Sequence, residues 1–320
     1  MENCIKLIKK ALRKNKIKNY KVISTTTKCL WYKESFKQIS HDNSVLEKIF
    51  VIFKNRNKIS KFNVSPFEDI GIIESLIESG LKNSFENKQP WLQQKTLLKY
   101  NNCSESQRLF FEFDPDKFIH QLKENFEFVE KATGLKINTS YNLKVSKQNL
   151  LTDNSCLEQF YMTSDLLCME NTNFQKRASA KDLDLNDSFS EKIICELNKP
   201  YIPFAEDNIF DQKLIIIKKE AVANIINEYI VAFYADRLYN GQSFIRKNQI
   251  KKVLYNKDFS ITSLPFENIY FDLEGTILEE KSIILNGKLV DIISNFTYSR
   301  YLNINSFGNS DLENPEMISY

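Results

Sequence analysis

Apolar and polar positions change period several times along the chain. Residues 2–15, ENCIKLIKKALRKN, place apolar residues at helical spacing and leave a basic outer face, which predicts an amphipathic helix. From Tyr20 to Phe62 the pattern alternates, rich in β-branched and aromatic residues: YKVISTTT, LWYKESFKQI, EKIFVIFKN and KISKFNV. Period two of this kind predicts strands of a small antiparallel sheet. SPFEDIGIIESLIESGLKNS then returns to helical spacing. Ser65 is placed to cap it, Pro66 to start it and Glu68 to complete a capping box, with Ile72, Ile73, Leu76, Ile77 and Leu81 as its buried stripe. A further helix opens at DPDKFIHQLKENFEFVEKATG, with Asp114 as cap, Pro115 first and Gly134 at its end. Strands follow at TSYNLKVSK, QNLLTDN and LEQFYMTSDLLCMEN, then a helix at SFSEKIICELNK.

The last third opens on a strand-like run, KLIIIKK, followed by EAVANIINEYIVAFYADRLYNGQSF. Val222, Ile225, Ile226, Tyr229 and Phe233 fall at i, i+3, i+4, i+7 and i+11, a stripe that predicts a core-facing helix. Short strands follow around FSITSL, KSIILNG and KLVDIIS. Polar stretches at 86–107 and 200–211 read as linkers. The expected organisation is α+β: an N-terminal helix and antiparallel-sheet domain (1–88), a middle α/β domain (108–205) and a β-rich C-terminal domain (212–320).

Composition narrows the function. The 24 Phe and 14 Tyr among 320 residues supply large buried surfaces, so the chain folds. A net charge of +3 speaks against an extended nucleic-acid surface. The six cysteines, at 4, 29, 103, 156, 168 and 195, form no C-x-x-C pair, which removes zinc-ribbon and thioredoxin-type readings. No run of about 18 apolar residues suggests a membrane span. Free thiols and the lack of a signal-like N-terminus fit a cytoplasmic location. No cysteine has an evident histidine partner, and G-x-S-x-G, P-loop and dinucleotide motifs are absent.

Residues 265–310, PFENIYFDLEGTILEEKSIILNGKLVDIISNFTYSRYLNINSFGNS, carry an ordered set of features. Asp272, Glu274 and Gly275 form an acid-x-acid-Gly step, Gly287 sits in the LNGKL turn, YSRYLN follows, and Gly308 and Asn309 close the set in SFGNS. Upstream, Gly241, Ser243 and Phe244 follow the long helix. The region resembles the C-terminal domain of the TldD/PmbA metalloprotease family; the first two domains resemble it more loosely.

The resemblance implies a motif helix that carries H-E-x-x-x-H in catalytic members. There the two histidines bind zinc and the glutamate activates the metal-bound water. Five residues of α-helix turn about 500°, leaving the two side chains about 140° apart; a π-bulge would bring them together. In this chain the motif reads NEYIVA: Asn227 and Ala232 stand at the histidine positions and only Glu228 remains. The two histidines, His41 and His120, lie elsewhere, and no cysteine follows Cys195 to supply a thiolate ligand. The chain also reads as ending early for the family. No metal site is expected, and zinc only in a catalytic partner. The implied role is a non-catalytic, TldE-like pseudoenzyme subunit of a TldD-type protease for unfolded or leader peptides. It would work as a homodimer or beside a TldD-like catalytic subunit, with an extended peptide as substrate. The alternative is a free-standing peptide-binding scaffold for ribosomal-peptide precursors. Glu228 by itself also reads as an ordinary solvated helix residue. Tyr298, Tyr301, Leu302 and Ile304 are expected to leave apolar surface uncovered, the ground for a dimer. In the DLEG step, Asp272 is expected to bond backbone amides.

Overall fold

The structure is a computed structural model. It describes residues 1–35, 38–86, 105–153, 156–170, 177–181, 189–198, 219–263, 271–272, 276–294 and 296–304. The KLIIIKK run, except for Lys219, lies outside these residues, as do the first polar linker apart from 86 and 105–107 and the whole of the second.

One antiparallel sheet dominates. Its strands are β1 (Asn19–Ser35), β2 (Gln38–Asn55), β3 (Lys58–Val64), β4 (Phe85–Glu86), β5 (Ile137–Leu151), β6 (Cys156–Glu170) and β7 (Arg177–Lys181). The order is β4-β3-β2-β1-β5-β6-β7, so strands from residues 1–88 and 108–205 share a single sheet through β1 and β5. β1 runs unbroken through the segments read as YKVISTTT and the start of LWYKESFKQI, and β2 begins at Gln38, inside the latter. β5 likewise joins TSYNLKVSK to most of QNLLTDN. Alternation marks which residues share a face, but a continuous run offers no local sign of where a strand should be cut.

Five helices lie on one face: α1 (Glu2–Lys14), α2 (Ile70–Lys82), α3 (Glu105–Phe111), α4 (Pro115–Thr133) and α5 (Phe189–Leu197). Even-numbered residues of β1 point at them. Tyr20 and Val22 pack with Ile8 and Leu12 of α1 and Ile73 and Ile77 of α2. Leu30 and Tyr32 pack with Leu122, Phe126 and Val129 of α4 and Phe189 and Ile193 of α5. Lys28 reaches the carbonyl of Phe110 in α3 at 2.6 Å and lies over its ring, holding a helix that begins in the last residues of the segment read as linker.

α4 begins and ends as expected. Asp114 Oδ1 accepts from the N–H groups of Asp116 and Lys117, and Gly134 takes a left-handed φ of 69°. α2 starts later than expected. Ser65–Glu68 forms a turn closed by the Glu68 N–H to the Ser65 carbonyl, and Asp69 is the cap, accepting from Ile72 N–H at 3.0 Å. Ile72 faces solvent, so the stripe reduces to Ile73 and Ile77 with Leu76 and Leu81 at its margin.

Among the described residues, the C-terminal region meets the other sheet face at Phe271, which packs with Ile23, Phe50, Ile52, Leu150 and Leu157. Gln159 of β6, fully buried, clasps the Phe271 backbone: its Oε1 accepts the Phe271 N–H and its Nε2 donates to the Phe271 carbonyl, both at 3.2 Å. Nε2 also donates to Gln148 Oε1 at 2.7 Å. The side-chain amide stands in for a strand's backbone and satisfies both polar groups.

The C-terminal region holds α6 (Lys219–Ile230), α7 (Ala235–Tyr239), a three-stranded sheet of β8 (Ile261–Ser263), β9 (Lys281–Leu285) and β10 (Lys288–Leu289), and α8 (Phe296–Leu302). The β9–β10 turn is Asn286–Gly287, both with positive φ, as the two-residue hairpin of an Asn-Gly pair requires.

Candidate functional site

The motif segment begins as an α-helix and ends tightened. α6 stops at Ile230, and Val231–Phe233 continue as a single 3₁₀ turn before Tyr234 becomes extended. A 3₁₀ turn rotates about 120° per residue against about 100° in an α-helix. Positions 227 and 232 are then about 180° apart, further than in a regular helix and opposite in sense to a π-bulge. Tyr234 is held by a parallel bridge to Ile293, whose N–H donates to the Phe233 carbonyl at 2.9 Å and whose carbonyl accepts from Ala235 N–H at 2.8 Å. Phe233 enters a core with Ile245, Ile283, Ile284, Leu289 and Ile293.

Ala232 is buried at 7% exposure and Glu228 is exposed. Asn227 lies within α6, but its side chain is outside the described residues. Ser243 supplies what the motif lacks in local order. Its hydroxyl donates to the Ala232 carbonyl at 2.6 Å and accepts from the Ile245 N–H at 2.9 Å. It ties the loop after Gly241, which takes a φ of 69°, to the backbone at the second ligand position. Spacing alone could not reveal this bond, because it depends on the loop folding back across α7.

The stripe expected to face the core does not do so throughout. Val222, Ile225 and Tyr229 are exposed, the last at 60%. The core side of the segment begins at Ala232 and Phe233. Tyr229 meets Phe244, itself 59% exposed, and Phe244 meets Phe233, each pair edge to face. The result is an apolar ridge of Val222, Ile225, Tyr229, Val231 and Phe244 beside the degenerate motif.

A second expectation also changes. Tyr298 and Leu302 are buried against Ala235 and Ile292, with Ile304 packed at the margin. Only Tyr301 is exposed, stacked on Tyr239 at 5.0 Å. α8 folds back on α7, so the C-terminal aromatic segment covers itself.

In the acid-x-acid-Gly step, Asp272 is buried. Its N–H donates to the Thr276 carbonyl and its Oδ1 accepts the Thr276 N–H, both at 2.9 Å. Glu274, Gly275, Gly308 and Asn309 lie outside the described residues. Asp272 directly follows Phe271, the residue held by Gln159, so the step sits where the C-terminal region meets the large sheet.

The described residues of the motif do not suit zinc. Among the described residues no group of three or more His, Cys, Asp or Glu could hold a metal ion. His41 lies on β2, and His120 faces Glu124 one turn along α4 at 3.3 Å. Ala232 offers no donor. No described helix is long and apolar enough to cross a membrane.

Residues 212–319 match the family model of the PmbA/TldA metallopeptidase C-terminal domain. Over this last third the chain is similar to TldD/PmbA-family proteins. No curated protein sequence matches it. Solved TldD/PmbA-like structures share its fold over nearly its whole length. TldE from Thermococcus kodakarensis superposes with a TM-score of 0.69 at 13% identity, covering 97% of this chain and 73% of its own. A protein from Thermotoga maritima, named for a suggested role as a modulator of DNA gyrase, gives 0.68 at 15%, with 97% and 74% covered. A similarly named protein from Bacteroides thetaiotaomicron gives 0.69 at 14%, with 98% and 76% covered. At such identities the likeness establishes the TldD/PmbA fold and nothing finer.

Proposed function

We propose that this chain is a non-catalytic, TldE-like subunit that acts with a TldD-type metalloprotease on unfolded or leader peptides. The observation that carries the reading is the state of the second ligand position. Ala232 is buried, has no donor, and its carbonyl is tied down by Ser243. Zinc chemistry needs converging imidazoles and a carboxylate beside the metal-bound water. Here residue type and the 3₁₀ turn both oppose that arrangement. The exposed ridge of Ile225, Tyr229 and Phe244 offers such a subunit an apolar surface beside the motif.

The test is zinc content and peptidase activity of the purified chain, alone and mixed with a family subunit that carries an intact H-E-x-x-x-H helix. The expected result is no stoichiometric zinc, no cleavage alone, and cleavage of an unfolded substrate only in the mixture. The double variant Asn227→His with Ala232→His is expected to gain no zinc. About one tightly held zinc per chain, or cleavage by the chain alone, overturns the reading. Peptide binding by the chain with no effect on any catalytic subunit would instead favour a free-standing scaffold.

A further inference from the structure

β2 has an edge that β3 covers only in part. β1 pairs with β2 along its whole length, from Ser35↔Gln38 to Asn19↔Lys54. β3 pairs with it only from Ile49 to Asn55. Among the described residues no strand pairs with the outer side of Gln38–Lys48. Every residue from Gln38 to Leu46 is exposed, Val45 at 62%. Along such an edge alternate residues direct N–H and C=O groups outward with no ladder partner. Protein edges are normally blunted by proline, bulges or short length. This edge is eleven residues long, contains no proline and pairs with β1 without a register break. It also carries three exposed apolar residues, Ile39, Val45 and Leu46.

We propose that this edge pairs antiparallel with the same edge of a second copy of the chain, about a two-fold axis at Ser44. The inference goes beyond the function proposed above, which pairs the chain with a catalytic subunit, and names a surface for self-association. The charges select the register. A two-fold axis perpendicular to the sheet sets each residue opposite its symmetry mate, and like partners recur twice. Centred on Ser44, His41 stands opposite the second copy's Glu47, Asp42 lies diagonal to its Lys48, and Ser44 meets Ser44. Opposed and diagonal neighbours of this kind interact across antiparallel strands. Centring on Asp42 opposes two carboxylates, and centring on Asn43 sets them diagonally. Centring on Val45 shortens the pairing and drives more of each strand into the space β3 occupies. The Ser44 register pairs Ser40–Lys48 and ends where β3 takes over the edge at Ile49. The two residues before Ser40 then leave the edge beside Val64, where the chain turns off the sheet through Ser65–Glu68. The axis keeps the helices of both copies on the same side of one continuous sheet.

The full chain is tested by light scattering and by cysteine cross-linking. Wild type is expected at twice the chain mass of 37.6 kDa. Val45→Lys, at an exposed position, is expected to keep the circular dichroism spectrum and weaken the dimer at least about tenfold by adding an edge lysine. Ser44→Cys is expected to form a disulfide with its own symmetry mate. Directly opposed antiparallel residues lie about 4.5–5.5 Å apart between Cα atoms, within disulfide reach. The background carries Cys29→Ser, because Cys29 pairs with Ser44 on β1, and Ser at 103, 156 and 195. Ser40→Cys in the same background is expected not to cross-link. A wild-type dimer that tolerates Val45→Lys and leaves Ser44→Cys uncross-linked overturns the edge pairing while self-association stands. A chain that stays at single mass overturns the self-pairing. If that monomer then binds a catalytic subunit, the proposed function survives without it.

Discussion

Replacing Gly287 with alanine should destabilise the C-terminal region by more than the backbone angle alone accounts for. Gly287 sits in the β9–β10 hairpin at a φ of 75°. Its N–H donates to the Phe259 carbonyl at 2.8 Å, and its carbonyl accepts from Leu254 and Tyr255 at 2.9 and 3.0 Å. A Cβ built there would stand 2.6 Å from the Asn256 carbonyl oxygen and against that of Tyr255, both backbone atoms. A left-handed φ costs an alanine about 1 kcal/mol relative to glycine. Forcing a methyl into an occupied space costs about 1–3 kcal/mol more. The expected loss is therefore about 2–4 kcal/mol. Gly134 is the internal control, since it has nearly the same φ, 69°, with nothing within 4 Å of its Cβ position. Gly134→Ala should cost only about 1 kcal/mol. Native-state hydrogen exchange at the Leu254 and Tyr255 amides reads the first site. Exchange at Gly134, whose amide bonds the Glu130 carbonyl, reads the second. A Gly287→Ala loss no larger than that of Gly134→Ala would refute the steric part of the argument.

Three further outcomes follow from the same reasoning. Gln159→Leu should cost about 2–4 kcal/mol, because it leaves the buried N–H and carbonyl of Phe271 unpaired; unfolding midpoints check the size, and faster exchange at Phe271 checks the place. Asp272→Ala should cost about 1.5–3 kcal/mol through loss of the bond to the Thr276 amide, and a midpoint within about 0.5 kcal/mol of wild type would contradict it. Thiol labelling followed by mass spectrometry should rank the cysteines by access and ionisation: burial pushes Cys168 up to about 12 and raises Cys156, so thiolate is scarce at both at neutral pH. Cys156 and Cys195 are both exposed, so both should label in the native chain, Cys156 more slowly for its raised thiol, and Cys168 only on unfolding; prompt labelling of Cys168 in the native chain would be inconsistent with its packing.

What was legible in the sequence was short-range. Asp114, Pro115 and Gly134 bound α4 because caps act within one turn, and Asn286–Gly287 marks a hairpin because both residues tolerate positive φ. That Ala232 brings no metal-binding side chain was equally plain, since alanine has none in any fold. Residue patterns did not show that β1 and β5 unite the first two regions in one sheet, because strand pairing depends on partners more than a hundred residues apart. The sequence pointed to Ser65 as the cap of α2, where the structure has Asp69; both residue types cap well, so residue type alone does not choose between them. The stripe on α6 and the aromatics of α8 exchanged roles for a similar reason. Periodicity shows that residues share a face, but not whether another element covers it. At the site, Ser243 holding Ala232 and Gln159 holding Phe271 exist only once loops have folded back over distant strands. Buried backbone groups must find partners in the folded chain, and which side chain provides them is settled by three-dimensional proximity.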